Sequence, residues 1–253
     1  MKLSASKRLS SQQMIKLKRA SLCQSDGDQT MLKAVVFDLD GTLTVLALPL
    51  DAMRNDTKKF YVTRGMPAEL IDPEDGISST TVKAKEYFHS QGIPIDEWKS
   101  MQAEIDGILS THEGWAATDA KLIDGSLDVV RELKARGFKT AILTNNGRSA
   151  VDLILSKIPM SGLFDLIQTR NESPSPKPYP DGLLSVVKKL GVGIDEAVYV
   201  GDARIDAAAA TRAGIEFWGV ATGETSKDEL FKAGAHRVFD SLSQIPDAID
   251  SKR

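Results

Sequence analysis

The sequence predicts an α/β protein in which a doubly wound, Rossmann-like parallel sheet carries an inserted α-helical cap domain. Short apolar segments alternate with helix-like segments of about ten residues, which is typical of a parallel sheet with helices on both faces. The alternation stops once, between Leu46 and about Lys121, where no strand signal is found. A length of 253 residues accommodates a core of roughly 150–180 residues and a smaller inserted domain.

The core segments follow one another in a regular order. Glycines at positions 137, 191 and 214 stop the helices that precede them, because glycine readily ends a helix in the left-handed conformation. In chain order the sequence predicts strand 34–37, helix 127–136, strand 138–143, helix 149–157, strand 163–168, helix 181–190, strand 197–200, helix 205–213, and strands 217–220 and 237–239.

The insertion is predicted to be entirely helical. Helix-like segments lie around residues 51–63, 79–91 and 95–109, and prolines or glycines at positions 67, 73, 92 and 94 separate them. We therefore predict a helical cap over residues 46–121. It would cover the carboxyl edge of a sheet that is built from residues 31–45 and 122–253.

The first thirty residues differ from the rest of the chain. Six basic residues precede the first acid, Asp26, among several serines and few large apolar residues. We expect residues 1–30 to form a disordered basic tail, and its composition resembles an organelle targeting segment. The alternatives are a tail without an address, or a true start at Met31. The expected location is the cytoplasm, with a mitochondrial or other organelle matrix as the alternative.

Composition narrows the class of function. The net charge of −3 gives no sign of a nucleic-acid or acidic membrane partner, and no apolar run approaches the ~20 residues of a membrane helix. A single cysteine, Cys23, excludes an internal disulfide and favours a reducing compartment. Composition leaves the oligomeric state open.

The strongest functional signal follows the first strand. The apolar run Ala34-Val35-Val36-Phe37 ends at two carboxylates, Asp38 and Asp40, followed by Gly41. In an extended chain, residues i and i+2 point to the same side, so the two carboxylates would emerge together. A simple turn is the alternative, because Asp and Gly are common turn residues.

Polar residues also follow the other predicted strands. Ligands of open α/β sheets bind outside the carboxyl ends of the strands. The residues expected there are Thr144 and Asn145, Lys177 in a proline-rich loop, and Asp202 and Asp206. Several acids suit Mg²⁺, and a hydroxyl with a lysine suits phosphate oxygens. Taken singly, each could be a helix cap or a solvated surface residue.

These segments resemble the four motifs of the haloacid dehalogenase superfamily in their order. Asp38-Leu39-Asp40-Gly41-Thr42 is similar to the first motif and Leu143-Thr144-Asn145-Asn146 to the second. The third is matched by Lys177-Pro178-Tyr179-Pro180-Asp181, and the fourth by Gly201-Asp202-Ala203-Arg204-Ile205-Asp206. The resemblance covers about residues 33–248 and is nearest to the phosphoglycolate-phosphatase-like branch, whose helical cap lies between the first and second motifs.

The resemblance implies a role for each residue. Asp38 would be the nucleophile and Asp40 the general acid and base. Asp38, the backbone carbonyl of Asp40, and Asp202 would hold Mg²⁺, with Asp206 as a ligand or a partner behind the ligands. Thr144, with Asn145 and the backbone after it, would bind the phosphate. Lys177 would also bind the phosphate and would balance the negative charge of Asp38, Asp202 and the phosphate.

The expected function is hydrolysis of a small phosphorylated metabolite, similar to phosphoglycolate or a sugar phosphate, through an aspartyl-phosphate with Mg²⁺ as cofactor. The alternatives are a phosphosugar mutase of the same fold and a catalytically silent binding protein that keeps the fold. A dehalogenase of the same fold uses an Asp nucleophile without a metal and does not need a second acid. The presence of Asp40 therefore argues against that activity. The expected partner is a small phosphate ester, and neither nucleic acid nor membrane is expected.

Overall fold

The computed structural model describes residues 31–223 and 225–251. The predicted basic tail and its targeting hypothesis concern residues 1–30, which lie outside the described residues. Within the described ranges, the search for a helix both long and apolar enough to cross a membrane finds none.

A six-stranded, fully parallel sheet forms the centre of the molecule. Its strands are β1 (Ala34–Phe37), β4 (Lys139–Leu143), β5 (Leu166–Gln168), β6 (Ala197–Gly201), β7 (Glu216–Val220) and β8 (Arg237–Phe239). Their order in the sheet is β5-β4-β1-β6-β7-β8, so β1 lies between β4 and β6. From β1 the chain proceeds to β4 and β5 on one side of the sheet, and then to β6, β7 and β8 on the other side. The strand order therefore reverses at β1, and ligands of α/β sheets bind at the carboxyl end of the strands at such a point.

Helices cover both faces of this sheet. They are α4 (Ser126–Ala135), α5 (Arg148–Lys157), α6 (Asp181–Leu190), α7 (Arg204–Ala213), α8 (Lys227–Lys232) and α9 (Ile245–Asp250). Alternate residues of β1 enter different cores: Val35 and Phe37 pack with α4 and α5, whereas Ala34 and Val36 pack with α6 and α7. Burial on both faces explains why the strand sequence is continuously apolar.

The insertion contains α1 (Leu50–Thr63), α2 (Ile77–Ser90) and α3 (Ile95–Thr118). Their apolar faces share a third core, built on an aromatic group of Phe60, Tyr61, Phe88 and Trp98. A short antiparallel ribbon, β2 (Thr44–Val45) with β3 (Lys121–Leu122), joins the two ends of the insertion. The ribbon was not predicted, because two residues per strand give no periodicity.

Helix α3 is longer than predicted and belongs to two cores. Trp98, Met101, Ile105 and Leu109 pack inside the insertion, whereas Ala116 and Ala117 pack against the helices of the sheet. The helix continues past position 109 because this second half is covered by α5. The division at residues 121 and 122 remains a prediction, since one helix serves both parts.

Two further differences concern the ends of the core. The predicted strand 163–168 is shorter in the structure: Leu163 ends the 3₁₀ helix Ser161–Leu163, and the strand covers Leu166–Gln168. Asp165 between them accepts the Thr140 backbone N–H at 2.8 Å with its side chain, which holds the chain at the sheet edge. Helices α8 and α9 were not predicted, because six residues give little helical periodicity.

Candidate active site

Every site residue predicted from the sequence lies at the carboxyl edge of the central strands. Asp38, Thr144 and Asp202 directly follow β1, β4 and β6, which are neighbours in the sheet. The ladder extends one residue past β1, since the Asp38 N–H donates to the Val200 carbonyl at 2.8 Å. All three side chains are buried.

Lys177 reaches this edge from the proline-rich loop. Its Nζ donates to Asp38 Oδ1 at 2.6 Å and to Asp206 Oδ1 at 2.7 Å. Asn145 fixes the loop: its Oδ1 accepts the Lys177 backbone N–H at 2.9 Å, and its Nδ2 donates to the Lys177 carbonyl at 2.9 Å. Asn145 therefore sets the position of the lysine. Its Nδ2 also reaches Ser78 of the insertion, at 3.2 Å.

The lysine is held as a cation. Burial alone would lower the pKa of Lys177, but the carboxylates of Asp206 and Asp38 raise it above its ordinary value. Only 3% of the residue is exposed, so this charge is available to the site rather than to solvent.

Asp206 is completely buried and its oxygens already have partners. Oδ1 accepts from Lys177 and, at 2.9 Å, from the Tyr199 hydroxyl, and Oδ2 accepts the Ala203 N–H at 3.0 Å. Tyr199 was missed by the sequence reasoning. A hydroxyl inside the otherwise apolar strand Ala197–Gly201 was the signal that could have revealed it.

Asp202 lies between two glycines. A Cβ on Gly223 would come within 1.7 Å of Asp202 Oδ2, and one on Gly41 within 2.3 Å of the same atom. The Thr42 hydroxyl donates to Asp202 Oδ1 at 3.1 Å. Burial and then the neighbouring Asp206 raise the pKa of Asp202 to about 7, so its negative charge calls for a compensating cation.

The acidic cluster fits a divalent metal ion. Asp38, Asp202 and Asp206 each offer an oxygen, and these atoms lie within 4.8 Å of one another. Burial raises the pKa of Asp38, and repulsion from Asp206 and Asp202 raises it further, although Lys177 opposes this. One lysine cannot neutralise three buried carboxylates. A hard cation with oxygen ligands would remove the excess negative charge.

Asp40 occupies a different position from this cluster. Its Oδ1 accepts the Leu46 N–H at 2.7 Å, and its backbone bridges to Thr44 beside the ribbon. The contribution of Asp40 to the metal through its backbone carbonyl and its role in proton transfer stay predictions. The side chain is half-buried.

Thr144 is oriented by its own loop. The Asn146 N–H donates to Thr144 Oγ1 at 3.1 Å, so the hydroxyl uses a lone pair there and keeps its proton for another acceptor. Only 2% of Thr144 is exposed, so an acceptor for this proton has to be a group inside the protein or a ligand bound there. A phosphoryl oxygen is an acceptor of the right kind.

Comparison with known proteins identifies the family. Residues 35–220 match the family of haloacid dehalogenase-like hydrolases. A phosphoglycolate phosphatase of Cereibacter sphaeroides is 30% identical over 220 residues, which cover 86% of this chain and 98% of the relative. The pyrophosphatase PpaX of Bacillus pumilus is 25% identical, covering 88% of this chain and 97% of the relative.

A solved structure agrees with this placement. The crystal structure of a hydrolase from Pseudomonas syringae aligns with a TM-score of 0.60 at 23% identity, covering 87% of this chain and 98% of that one. At this identity the likeness shows the fold, and it confirms the predicted fold class of an α/β core with an inserted helical cap. The chain therefore belongs to the haloacid dehalogenase-like hydrolases, as a phosphatase-like enzyme of that family.

Proposed function

We propose that this enzyme is a Mg²⁺-dependent phosphatase that hydrolyses a small phosphorylated metabolite through an aspartyl-phosphate on Asp38. The observation that carries the proposal is the position of Lys177. Its Nζ lies 2.6 Å from the proposed nucleophile, at the sheet edge where Thr144 and the acidic cluster converge. A cation beside an anionic nucleophile reduces the repulsion between a carboxylate and an approaching phosphate.

The chemistry divides between Asp38 and Asp40. An Asp38 oxygen attacks phosphorus while the bond from phosphorus to the leaving oxygen breaks, and Asp40 gives its proton to that oxygen. Asp40 then takes a proton from water, which attacks the phosphorus and releases Asp38 as a carboxylate. Thr144 and Lys177 hold the phosphoryl oxygens during both steps.

Asp38, Asp202 and the backbone carbonyl of Asp40 would hold Mg²⁺. When bound, the metal supplies positive charge that neutralises the site and the phosphate. For Asp206, the three hydrogen bonds that occupy its oxygens favour a role behind the ligands, where it aims Lys177. This is the second of the two roles that the sequence left open for it.

The names of the relatives support a substrate that contains phosphate, but they name different substrates. One is a phosphoglycolate phosphatase and another a pyrophosphatase. We propose a small ester, because the contact between Ser78 and Asn145 brings the inserted helices over the sheet edge. A cover of this kind limits access to small molecules.

Hydrolysis of p-nitrophenyl phosphate by the purified protein tests the proposal. Turnover with Mg²⁺ is expected, with loss on addition of EDTA and in Asp38→Asn, which keeps the shape of the side chain but removes the nucleophile. The matched control is Asp128→Asn, an exposed acid on α4, which should leave turnover unchanged. Full activity of Asp38→Asn would refute the assigned nucleophile.

A panel of phosphate esters and pyrophosphate would then rank the substrates. Interconversion of sugar phosphates without release of phosphate would identify a mutase instead. Binding of phosphate esters without any turnover would identify a silent binding protein.

A further inference from the structure

We propose that Arg170 is a positioning residue, which couples the inserted helix α3 to the loop that presents Thr144. This inference rests on the proposed function, because it assigns Thr144 to the substrate phosphate. Arg170 begins the 3₁₀ helix Arg170–Glu172, directly after β5 and Thr169. It is neither in the acidic cluster nor among the predicted site residues.

The guanidinium of Arg170 has no donor left for a substrate. Its Nε and one terminal nitrogen donate to Asp106 Oδ1 at 2.9 and 2.7 Å. The terminal nitrogens also donate to both oxygens of Glu113 and, at 2.7 Å, to the Asn145 carbonyl. These bonds use all five N–H groups that arginine carries. Arg170 is therefore an internal brace and not an anion-binding residue.

Arg170 binds the two peptide groups on either side of Asn146, in the loop after Thr144. The first of these groups, between Asn145 and Asn146, has its carbonyl bound by the Arg170 side chain and its N–H bound to Thr144 Oγ1 at 3.1 Å. The second has its carbonyl bound by the Arg170 backbone N–H at 3.1 Å and the Gly147 N–H bound to Glu113 at 2.9 Å. Since a peptide group is planar, holding both ends fixes its rotation. The orientation of the Thr144 hydroxyl follows from that rotation.

Helix α3 supplies the other half of the brace. Asp106 and Glu113 lie on this helix, seven residues apart and hence on one face. Glu113 is 1% exposed, and a buried carboxylate without a partner is costly, so Arg170 and Gly147 stabilise it in place. The fit is close, because a Cβ on Gly147 would come within 2.8 Å of Glu113 Oε2 and 2.9 Å of Arg170.

A neighbouring ion pair provides the matched comparison. Arg148 lies at the same edge of the sheet and binds Glu172 through two nitrogens, at 3.0 and 2.7 Å. Its other side-chain partners are the Ile167 carbonyl and Asp152, which belong to the core. Arg148 thus resembles Arg170 in charge, location and bidentate pairing. It differs because all its side-chain partners belong to the α/β core, whereas Arg170 binds two acids of the inserted helix α3.

The test combines Arg170→Met with Glu113→Gln in one variant, so that no buried charge is left unpaired and the fold is retained. Glutamine at position 113 can still accept the Gly147 N–H. Arg148→Met is the control. Two properties are measured: the affinity for inorganic phosphate by calorimetry in Mg²⁺, and the hydrogen exchange of residues 144–147. The kcat and KM for p-nitrophenyl phosphate are recorded alongside.

We expect phosphate affinity in the double variant to fall about tenfold and the exchange of residues 144–147 to accelerate, with kcat/KM lowered by at least as much as the affinity. The control should keep the wild-type phosphate affinity and kcat/KM, because Glu172 still accepts from Thr169 when Arg148 is lost. Arg170→Lys keeps the charge but loses the planar fork, so it should behave like the double variant.

Two results would overturn the inference. One is a double variant that loses thermal stability but keeps wild-type phosphate affinity and exchange, since a purely structural brace predicts that pattern. The other is wild-type phosphate affinity, hydrogen exchange and kcat/KM in Arg170→Lys, which would mean that Arg170 contributes only its positive charge. A wild type without turnover would refute the proposed phosphatase, while the exchange experiment would still decide the coupling.

Discussion

At the scale of single residues, the site depends on one buried lysine held between two carboxylates. Lys177 touches Asp38 and Asp206, and Asp206 is held in turn by Tyr199 and the Ala203 N–H. Desolvating charged groups is costly, and the arrangement persists because the polar contacts around Lys177 and Asp206 compensate for the lost water. The result is a cation whose position is fixed before a substrate arrives, which is the condition for electrostatic catalysis.

Asp40→Asn should slow turnover according to the leaving group. The amide oxygen can still accept the Leu46 N–H, so the loop is expected to keep its shape. Without a proton donor, kcat/KM for an alkyl phosphate should fall about 10²- to 10⁴-fold, and less for p-nitrophenyl phosphate, whose leaving oxygen needs no proton. Steady-state kinetics with both esters measure the difference in kcat/KM, which reports formation of the aspartyl-phosphate; kcat should fall for both esters, because Asp40 also activates the water of the second step. An equal loss for the two esters would count against the acid role.

Gly223→Ala should weaken metal binding. The new methyl would overlap with Asp202 Oδ2, because the available distance is 1.7 Å, so the carboxylate must turn away. Displaced ligand geometry commonly costs 10- to 100-fold in metal affinity, and the Mg²⁺ concentration for half-maximal activity should rise by about that factor. Gly107→Ala is the control, as nothing lies within 4 Å of its Cβ position. An unchanged Mg²⁺ dependence would show that Asp202 does not hold the metal.

At the scale of elements, a short 3₁₀ helix is fixed by one acidic side chain. Glu172 Oε2 accepts the Thr169 N–H at 2.8 Å and the Thr169 hydroxyl at 2.7 Å, and both Glu172 oxygens accept from Arg148. Although burial opposes it, the bonds from Arg148 and Thr169 lower the pKa of Glu172 to about 2. Because the folded protein holds this group ionised more strongly than the unfolded chain does, its contribution to stability is present above the unfolded pKa of about 4.3.

The Glu172 contribution should therefore disappear as the pH falls from about 5 toward 2. Glu172→Gln should lower the urea midpoint at neutral pH, and the gap to the wild type should narrow steadily below about pH 4.3. Equilibrium unfolding at several pH values measures the gap. Glu69→Gln, at an exposed position of the insertion, controls for the loss of a charge. A gap that does not depend on pH would refute the assignment.

The sequence predicted those elements whose periodicity is strong. The central strands are apolar throughout, and glycines end α6 and α7 in the left-handed conformation, so these elements were located within one or two residues. The β2–β3 ribbon and helices α8 and α9 are too short to show a period. The second half of α3 was missed because Glu113 interrupts an apolar face formed by Ile105, Leu109 and Ala116.

The same distinction applies to the site. Residues that follow strand ends, such as Asp38 and Asp202, could be located by their place in the chain. Arg170 and Glu113 could not, because their partnership joins elements 57 positions apart. An acid on an otherwise apolar helical face is a signal that a buried cation is nearby, but the sequence does not say which one. Contacts of this kind depend on the tertiary fold.

At the scale of the whole molecule, stability should depend on the metal. The acidic cluster brings three buried carboxylates together, and a bound cation would relieve their repulsion only in the folded state. At a Mg²⁺ concentration about 100 times the Kd, binding adds about 2.7 kcal/mol, which should raise the melting temperature by about 5–10 °C. Thermal unfolding with Mg²⁺ and with EDTA measures the shift.

Asp202→Asn is the control for this metal effect, because it removes one charge and one anionic ligand from the cluster. Its melting temperature without Mg²⁺ should equal or exceed that of the wild type, and its shift with Mg²⁺ should be much smaller. A shift of wild-type size in Asp202→Asn would mean that the ion binds elsewhere.

The long helix α3 also limits how the molecule can be rebuilt. Its first half packs inside the insertion, while Ala116 and Ala117 pack with the helices of the sheet. A chimera that exchanges the insertion at residue 121 would therefore replace part of the core as well, and would leave the surface of Ala150 and Val151 facing a foreign helix. A junction within α3, after Leu109 and before Glu113, would keep Glu113, Ala116 and Ala117 of the original chain. The segment that can be exchanged without changing the core is thus shorter than the insertion.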